Sequence, residues 1–541
     1  MEEVKKELKK VWGCLVGGAI GDALGYPVEF MMLDAIREKY GKDGIRHLVL
    51  GKNGKAIVSD DTQMTLFTAN GILFWSTRGH THGVCGDPEM YVQIAYNDWL
   101  KTQGINVANS HWAEDHLCWI YNEPGLHARR APGITCLDAL QSLAQGHPVE
   151  NDSKGCGGIM RVAPVALFRD MSHGRNAHVS AANIARLTHH HPFGFMTAAY
   201  LVILLEFIQE HDITCAEGLR ELLPHVWCEF CKTPVSYNYH VHDPRPSGKD
   251  YDVVNGTYMD EYSSYCYRLE SMIEQAVSLS MTEIPDADAI RMIGEGWVAE
   301  ETLGIALYSC LKHFGDFRET VISAVNHDGD SDSTGSVAGQ IMGLIVGIDG
   351  IPAEFKDNVE FKDIIKIIAH DLAQGCPLSE WVDAIEGLPA SEYIMWHQKY
   401  LDHEDPRPLF WKKRIASDKI DSLKPNEVFV FGSNLAGGHG AGAAYAAVKK
   451  FGAIYGKGVG MQGQSYAIPT MHGGVDAIKP YVDDFMEYAQ THPERTFLVT
   501  KIGCGIAGFK ESEIAPLFQR AYWIRNIHLP LDFWKILEKS H

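Results

Sequence analysis

Two short acidic stretches carry most of the chemistry visible in this 541-residue sequence: Ser59-Asp60-Asp61-Thr62, and GDSDSTGS at 329–336. Each sets carboxylates beside hydroxyls directly ahead of an apolar, helix-prone run. In a D-x-D pattern such as Asp330-Ser331-Asp332, the two carboxylates can turn toward one ion while the middle residue points away. Asp60, Asp61, Asp330 and Asp332 with their neighbouring hydroxyls form a hard-oxygen donor set without a thiolate, suited to Mg²⁺, Mn²⁺ or Ca²⁺ rather than zinc. Taken alone, the first stretch reads more readily as a helix N-cap with a favourable first-turn charge. So many carboxylates in one place would repel strongly unless cations were bound.

The elements that must position these residues are mainly helical over the first ~400 residues, where 62–75, 196–209, 301–313 and 335–347 space their apolar residues at helical intervals. An all-α domain is expected there. Two of its helices carry glycine stripes, Gly13-Gly17-Gly21-Gly25 and Gly335-Gly339-Gly343-Gly347. A four-residue step puts each stripe along one helical face. Each interior glycine costs ~1 kcal/mol against alanine, so the stripes imply close backbone approach to another helix or a ligand. The first stripe lies beside Asp22 and Glu29, the second beside Asp332. Residues 233–256 break the helical pattern and read as a long loop, either a lid or a surface insertion.

A charged, proline-containing stretch at 402–426 marks a boundary. The expected division is an all-α domain over 1–403, a linker over 404–425 and a small α/β domain over 426–541. In the last, Val428–Phe431, Tyr466–Ile468 and Thr496–Ile502 read as strands, and 441–451, 476–490 and 511–524 as helices. The net charge of −21 argues against a sequence-independent nucleic-acid coat. The start, MEEVKKELKKVW, has no apolar signal region, and the greasiest runs, 196–205 and 335–348, fall short of the ~18–20 residues that span a bilayer. The 12 scattered cysteines read as reduced thiols, so a cytoplasmic protein is expected. Cys228 and Cys231 form one C-x-x-C, either half of a zinc site or two ordinary thiols.

Five segments together resemble the ADP-ribosylglycohydrolase family, the group that contains the dinitrogenase-reductase-activating glycohydrolase. In order they are GCLVGGAIGDALGYPVEF (13–30), SDDTQMT (59–65), RAPGITCLDAL (130–140), GCGGIMRVAPVAL (155–167) with THHHP (188–192), and HDGDSDSTGSVAGQIMG (327–343). The resemblance spans residues ~10–400. It implies an all-α fold and a binuclear Mg²⁺ or Mn²⁺ centre held by Ser59, Asp60, Asp61, Asp330, Asp332 and Ser333. Serine at 333 replaces the family's usual threonine and keeps the hydroxyl. The resemblance also implies that Glu29 is a gate or acid–base residue, with Asp60 or Asp61 able to relay a proton. Gly155, Gly157, Gly158 and Met160 would line an ADP-ribose pocket, and His189 would approach the ligand.

The C-terminal region places one glycine loop, 434–442, after a strand and another, 503–508, after a second strand. This is similar to a macrodomain. If so, Asn434, Gly438, Gly440, Gly442, Gly503, Gly505, Ile506 and Gly508 would surround a diphosphate; a Rossmann-like domain with tight turns is the alternative. The expected function is therefore removal of ADP-ribose from a modified protein or nucleic acid, with the C-terminal domain binding ADP-ribose or assisting. The competing readings are an ADP-ribose-binding regulatory protein that does not hydrolyse, and a metal-dependent phosphoesterase.

Overall fold

The computed structural model describes residues 2–82, 86–107, 116–168, 176–232, 235, 256–378, 396, 398–400, 414–524 and 526–539. The chain divides into two compact units, Met1–Gly387 with Gln398–His403, and Leu388–His397 with Glu404–His541. All of the expected 233–256 loop except Val235 and Gly256 lies outside the described residues.

The first unit is helical. The helices that position its chemistry are α1 (Glu2–Gly25), α2 (Asp60–His82), α3 (Ile134–Ala144), α4 (Ala177–Arg186), α5 (Pro192–Glu210), α6 (Ala299–Lys312) and α7 (Ser331–Gly350). The two glycine stripes meet. A Cβ at Gly13, Gly17, Gly21 or Gly25 would run into the backbone at Gly343, Gly339, Gly335 or Ser331 respectively, so α1 and α7 pack antiparallel with their backbones in contact. The stripes thus remove the side-chain layer that normally holds helices ~8–10 Å apart. The last glycine of the second stripe has another role. Gly347 has φ +63° and kinks the helix, a conformation that glycine adopts without a Cβ penalty.

Helix α5 extends the apolar 196–205 run to 19 residues, so by length and composition it could cross a membrane. In its most apolar stretch 78% is buried inside the fold, as in the core helix of a large helical domain.

The second unit is built on a six-stranded sheet in the order β1-β6-β5-β2-β4-β3. Its strands are β1 (Ile415–Ala416), β2 (Glu427–Ser433), β3 (Gly460–Gln462), β4 (Ser465–Pro469), β5 (Thr496–Val499) and β6 (Ile527–Pro530). All neighbours are parallel except β3 with β4. Both faces of β2 are covered: Val428 and Val430 join one apolar cluster, Phe429 and Phe431 another. This explains its unbroken apolar run. Three strands escape the sequence pattern. β1 falls inside the stretch read as a linker, and β3 and β6 are too short to show a period. β5 ends at Val499 rather than at residue 502, and the expected 511–524 helix is one α-turn at Glu511–Ile514 followed by a 3₁₀ stretch.

Candidate functional site

The two acidic motifs occupy the first turns of two helices. Asp60 and Asp61 open α2, and Asp330 caps α7, its carboxylate accepting from the Ser333 N–H at 3.2 Å. The N-cap reading made for the first motif holds, since Ser59, directly ahead of α2, accepts from the Asp61 N–H at 3.2 Å with its side chain, and the second motif is capped in the same way. Asp332 accepts from the same Ser333 N–H at 3.0 Å. The D-x-D pattern does bring its two carboxylates to one point, and a backbone donor is what they share there.

The motifs meet in space. The Ser333 side chain lies beside the Asp61 carboxyl, and the Glu29 carboxyl beside that of Asp332. Burial, reinforced by the surrounding carboxylates, pushes the Glu29 carboxyl up to about 9 and Asp60 up to about 8. Asp61 and Asp332 are also pushed far above the usual carboxylate range, first by burial and then by their acidic neighbours. Among the described residues, no lysine, arginine or histidine forms an ion pair with any of these groups. The Glu29 loop is under backbone strain: Phe30 sits at φ +65° and stacks on Trp297 with ring centroids 5.2 Å apart.

One residue was noted in the sequence only as a neighbour of the stripe. Asp22 on α1 is completely buried, with one oxygen accepting from Ser59 N at 2.8 Å and the other from Thr62 N at 3.1 Å and from the Thr62 hydroxyl. The available signal was a charge inside an otherwise apolar, glycine-striped helix, GGAIGDALG. Burial raises its carboxyl to about 6 against the pull of those hydrogen bonds.

The glycine loop lies against the same centre. The Cys156 thiol donates to Asp330 at 2.8 Å. The Met160 carbonyl accepts from Gln340 of α7 at 2.7 Å and from Thr65 of α2 at 3.4 Å, so the loop is tied to both motif-bearing helices. Small residues at 155, 157 and 158 serve packing more than openness. A Cβ at Gly155 would lie 3.2 Å from His189 Nε2, one at Gly157 would lie 2.8 Å from the His189 ring, and one at Gly158 would run into the Gly194 carbonyl.

His189, His190 and His191 lie in the connection between α4 and α5, not on a helix. Only His189 turns to the glycine loop; His191 caps α5 by accepting from Phe193 N at 3.1 Å. Beneath the loop, fully buried Arg161 donates to the Thr188 hydroxyl at 2.6 Å, and that hydroxyl lies 2.8 Å from His189 Nδ1. Burial first, then the Arg161 charge, holds the His189 imidazole down at about 3, so it is neutral at physiological pH.

Whether these residues suit divalent cations can be judged from the donors. Asp61 Oδ2 is buried and has no hydrogen-bond partner. An anionic oxygen of this kind, among mutually repelling carboxylates, is what a hard cation satisfies. No group of three or more His, Cys, Asp or Glu side chains stands in metal-holding geometry among the described residues. Asp22 spends both oxygens on backbone and hydroxyl donors, Asp330 spends one on the Ser333 N–H and the other on the Cys156 thiol, and Asp332 spends one on Ser333. The chemistry of the set fits Mg²⁺ or Mn²⁺, with Asp60, Asp61, Asp332 and Glu29 as the donors least committed elsewhere.

In the second unit, the loops predicted to hold a ligand follow adjacent parallel strands, β2 and β5. Residues 503–508 lie close to the end of β2, since a Cβ at Gly432 would be 3.2 Å from Thr470 and 3.4 Å from Gly503 N. The chain leaves β2 for β4 on one side and returns to β5 on the other, which makes this edge a topological switch point. Gly440, Gly442, Gly505 and Gly508 face open space. Ile506 is 71% exposed. Asn434 is occupied: its amide bonds Gly438 N at 3.0 Å and Gly438 O at 3.3 Å and closes the loop on itself. Gly503 is packed by Ile514 and Phe509. Sequence reasoning passed over His439, which is buried, bonds Ser433 at 2.8 Å through Nε2 and leaves Nδ1 without a partner.

Residues 3–381 match the family model described as ADP-ribosylglycohydrolase. The chain belongs to the ADP-ribosylglycohydrolase family. It is a hydrolase enzyme of that family. It is 22% identical over 356 residues to the ADP-ribosyl-[dinitrogen reductase] glycohydrolase of Rhodospirillum rubrum, covering 65% of this chain and 90% of that protein. It is 21% identical to the ADP-ribosylarginine hydrolase Tri1 of Pseudomonas putida, covering 70% and 82%, and 25% identical to human ADP-ribosylhydrolase ARH3, covering 41% and 58%. A solved ADP-ribosylglycohydrolase-related protein complex aligns with a TM-score of 0.44 at 22% identity, over 68% of this chain and 99% of that one. The family model covers most of the first unit. Nothing among these matches assigns the second.

Proposed function

We propose that the first unit cleaves the glycosidic bond between ADP-ribose and an acceptor on a modified macromolecule, with two Mg²⁺ or Mn²⁺ ions in the acidic centre. The observation that carries this reading is the junction of the Ser59–Asp61 and Asp330–Ser333 motifs, where buried carboxylates face one another and Asp61 Oδ2 lacks a partner. Asp60, Asp61 and Asp332, with Ser59, Asp330 and Ser333 beside them, would hold the cations. When bound, such ions supply charge stabilisation at the sugar and a water of lowered pKa.

The remaining work falls to this chain's own groups. Glu29 sits at the rim with a carboxyl raised to about 9. In the protonated form it can donate a proton to the departing acceptor, and afterwards take one back from water. Neutral His189, with Gly155 and Gly157 packed on its ring, presents Nε2 at the glycine loop as an uncharged partner for ligand oxygens. Arg161 lies one hydrogen bond deeper and fixes Thr188 beneath that ring.

For the second unit, the reading as an ADP-ribose-binding, macrodomain-like domain is supported by two glycine loops at the carboxyl ends of adjacent parallel strands. Its open glycines, 440, 442, 505 and 508, and exposed Ile506 would face the ligand, while Asn434, Gly438 and Gly503 shape the loops. The acceptor of the first unit and the target of the second would belong to one ADP-ribosylated protein or nucleic acid.

The test is to incubate the full chain with ADP-ribosylated arginine, serine and nucleic-acid substrates and follow release of free ADP-ribose. Release from one of them supports the hydrolase reading. Binding without release on all three would favour an ADP-ribose-binding protein, and neither would overturn both.

A further inference from the structure

We propose that Asp22 is a positioning residue that holds the two halves of the acidic centre in register, and is not itself a metal ligand. The inference rests on the metal reading above. Its basis is a single side chain linked to both halves by different means. Through its side chain, Asp22 receives the Ser59 N–H, the Thr62 N–H and the Thr62 hydroxyl, the groups that bracket Asp60 and Asp61 at the start of α2. Through its backbone, the same turn of α1 is locked to the start of α7: a Cβ at Gly21 would strike the Gly335 carbonyl, and one at Gly25 the Ser331 carbonyl.

Helix α1 therefore acts as a splint. The Asp330–Ser333 motif is registered against it by glycine-to-backbone contact, and the Ser59–Thr62 motif by three hydrogen bonds to one carboxylate. Both Asp22 oxygens are consumed in doing so. A buried carboxylate with both oxygens given to N–H and O–H donors has little left for a cation, whereas Asp61, held by this arrangement, keeps a free one. Placing a fixed anion there costs burial energy. The acceptors it supplies satisfy two N–H groups at the start of α2 that would otherwise have no helical partner. Outer groups that orient metal ligands in this way change metal affinity by ~10–100-fold when removed.

The decisive variant is Asp22→Asn. Asparagine keeps the volume but can accept on one side only, so it turns an N–H toward the Thr62 N–H or leaves the Ser59 N–H unpaired. Thr62→Val removes only the hydroxyl bond, and Thr62→Ser restores it. The measurement is Mn²⁺ binding to the full chain, read as loss of the free-Mn²⁺ paramagnetic signal, with helical content followed in parallel by circular dichroism. The expected result is unchanged stoichiometry with affinity ~10–100-fold weaker in Asp22→Asn, a smaller loss in Thr62→Val, and near wild-type affinity in Thr62→Ser.

Unchanged affinity in Asp22→Asn would overturn the proposal while leaving the metal reading in place. Loss of one bound ion would overturn it too, since that would make Asp22 a ligand. If Asp22→Asn does not fold, the Thr62 pair decides: equal affinity in Thr62→Val and wild type overturns the proposal. Absence of Mn²⁺ binding by the wild type would overturn the metal reading itself, and the proposal with it.

Discussion

The two candidate sites in this chain are built from opposite materials. The site of the first unit is made of side chains: buried carboxylates on helix starts, brought together by backbones that touch. The site of the second unit is made of backbone: glycine loops at the ends of parallel strands, facing open space. The difference shows in what glycine does in each. At Gly21, Gly25, Gly335 and Gly339 a Cβ would collide with another main chain, so glycine there is a packing requirement. At Gly440 and Gly505 a Cβ meets nothing, so any need for glycine there must come from a ligand or from the loop's own motions. The first site also stores repulsion, which a cation would relieve. The second stores none of that kind.

That contrast can be broken in several places. The largest expected effect is on catalysis. Asp61→Ala should lower ADP-ribose release by on the order of a thousandfold at saturating Mg²⁺, with the variant still folded by circular dichroism. Next is the helix contact. Gly339→Val should destabilise the first unit by about 3 kcal/mol or prevent folding, because the colliding atoms are backbone. Gly440→Ala should shift unfolding by less than about 0.5 kcal/mol, and equal shifts in chemical denaturation would dissolve the contrast.

A third effect concerns pH. Acids whose folded pKa is raised bind protons in the native state that the unfolded chain has released, so their contribution to stability is lost as pH rises through the folded values. With Asp22 at about 6, Asp60 at about 8 and Glu29 at about 9, the EDTA-treated protein should lose stability steadily between pH 5 and 9. Saturating Mg²⁺ should flatten that slope in thermal melts. The smallest effect is at His189. With its imidazole held down at about 3, affinity for ADP-ribose should show no inflection from this group between pH 5 and 8. His189→Gln should cost less than His189→Phe in a titration with ADP-ribose.

Much of the first site was legible in the sequence because its components are concentrated. Five motifs, two glycine stripes and paired acidic groups are local patterns, and helices keep local patterns in register. What stayed hidden depended on contacts between distant segments. Asp22 looked like a charge in a helix until its hydrogen bonds to residues 59 and 62 were seen. Arg161 and Thr188 are 27 residues apart, and their link beneath His189 has no periodic signal. The glycines at 155, 157 and 158 were read as lining an ADP-ribose pocket, and the fold packs them against His189 and Gly194. In the second unit, β1, β3 and β6 have 2, 3 and 4 residues, too few for alternation to declare itself. Their existence follows from pairing with neighbours, which only the assembled sheet supplies.

The central claim is that the joined acidic motifs form a metal-dependent hydrolytic centre. The most direct measurement is release of ADP-ribose by the full chain from an ADP-ribosylated substrate it turns over, for wild type and Asp332→Ala, each with Mg²⁺ and with excess EDTA. The account predicts release by the wild type with Mg²⁺ alone, and none in the other three conditions. Release that persists in both Asp332→Ala and EDTA would contradict it.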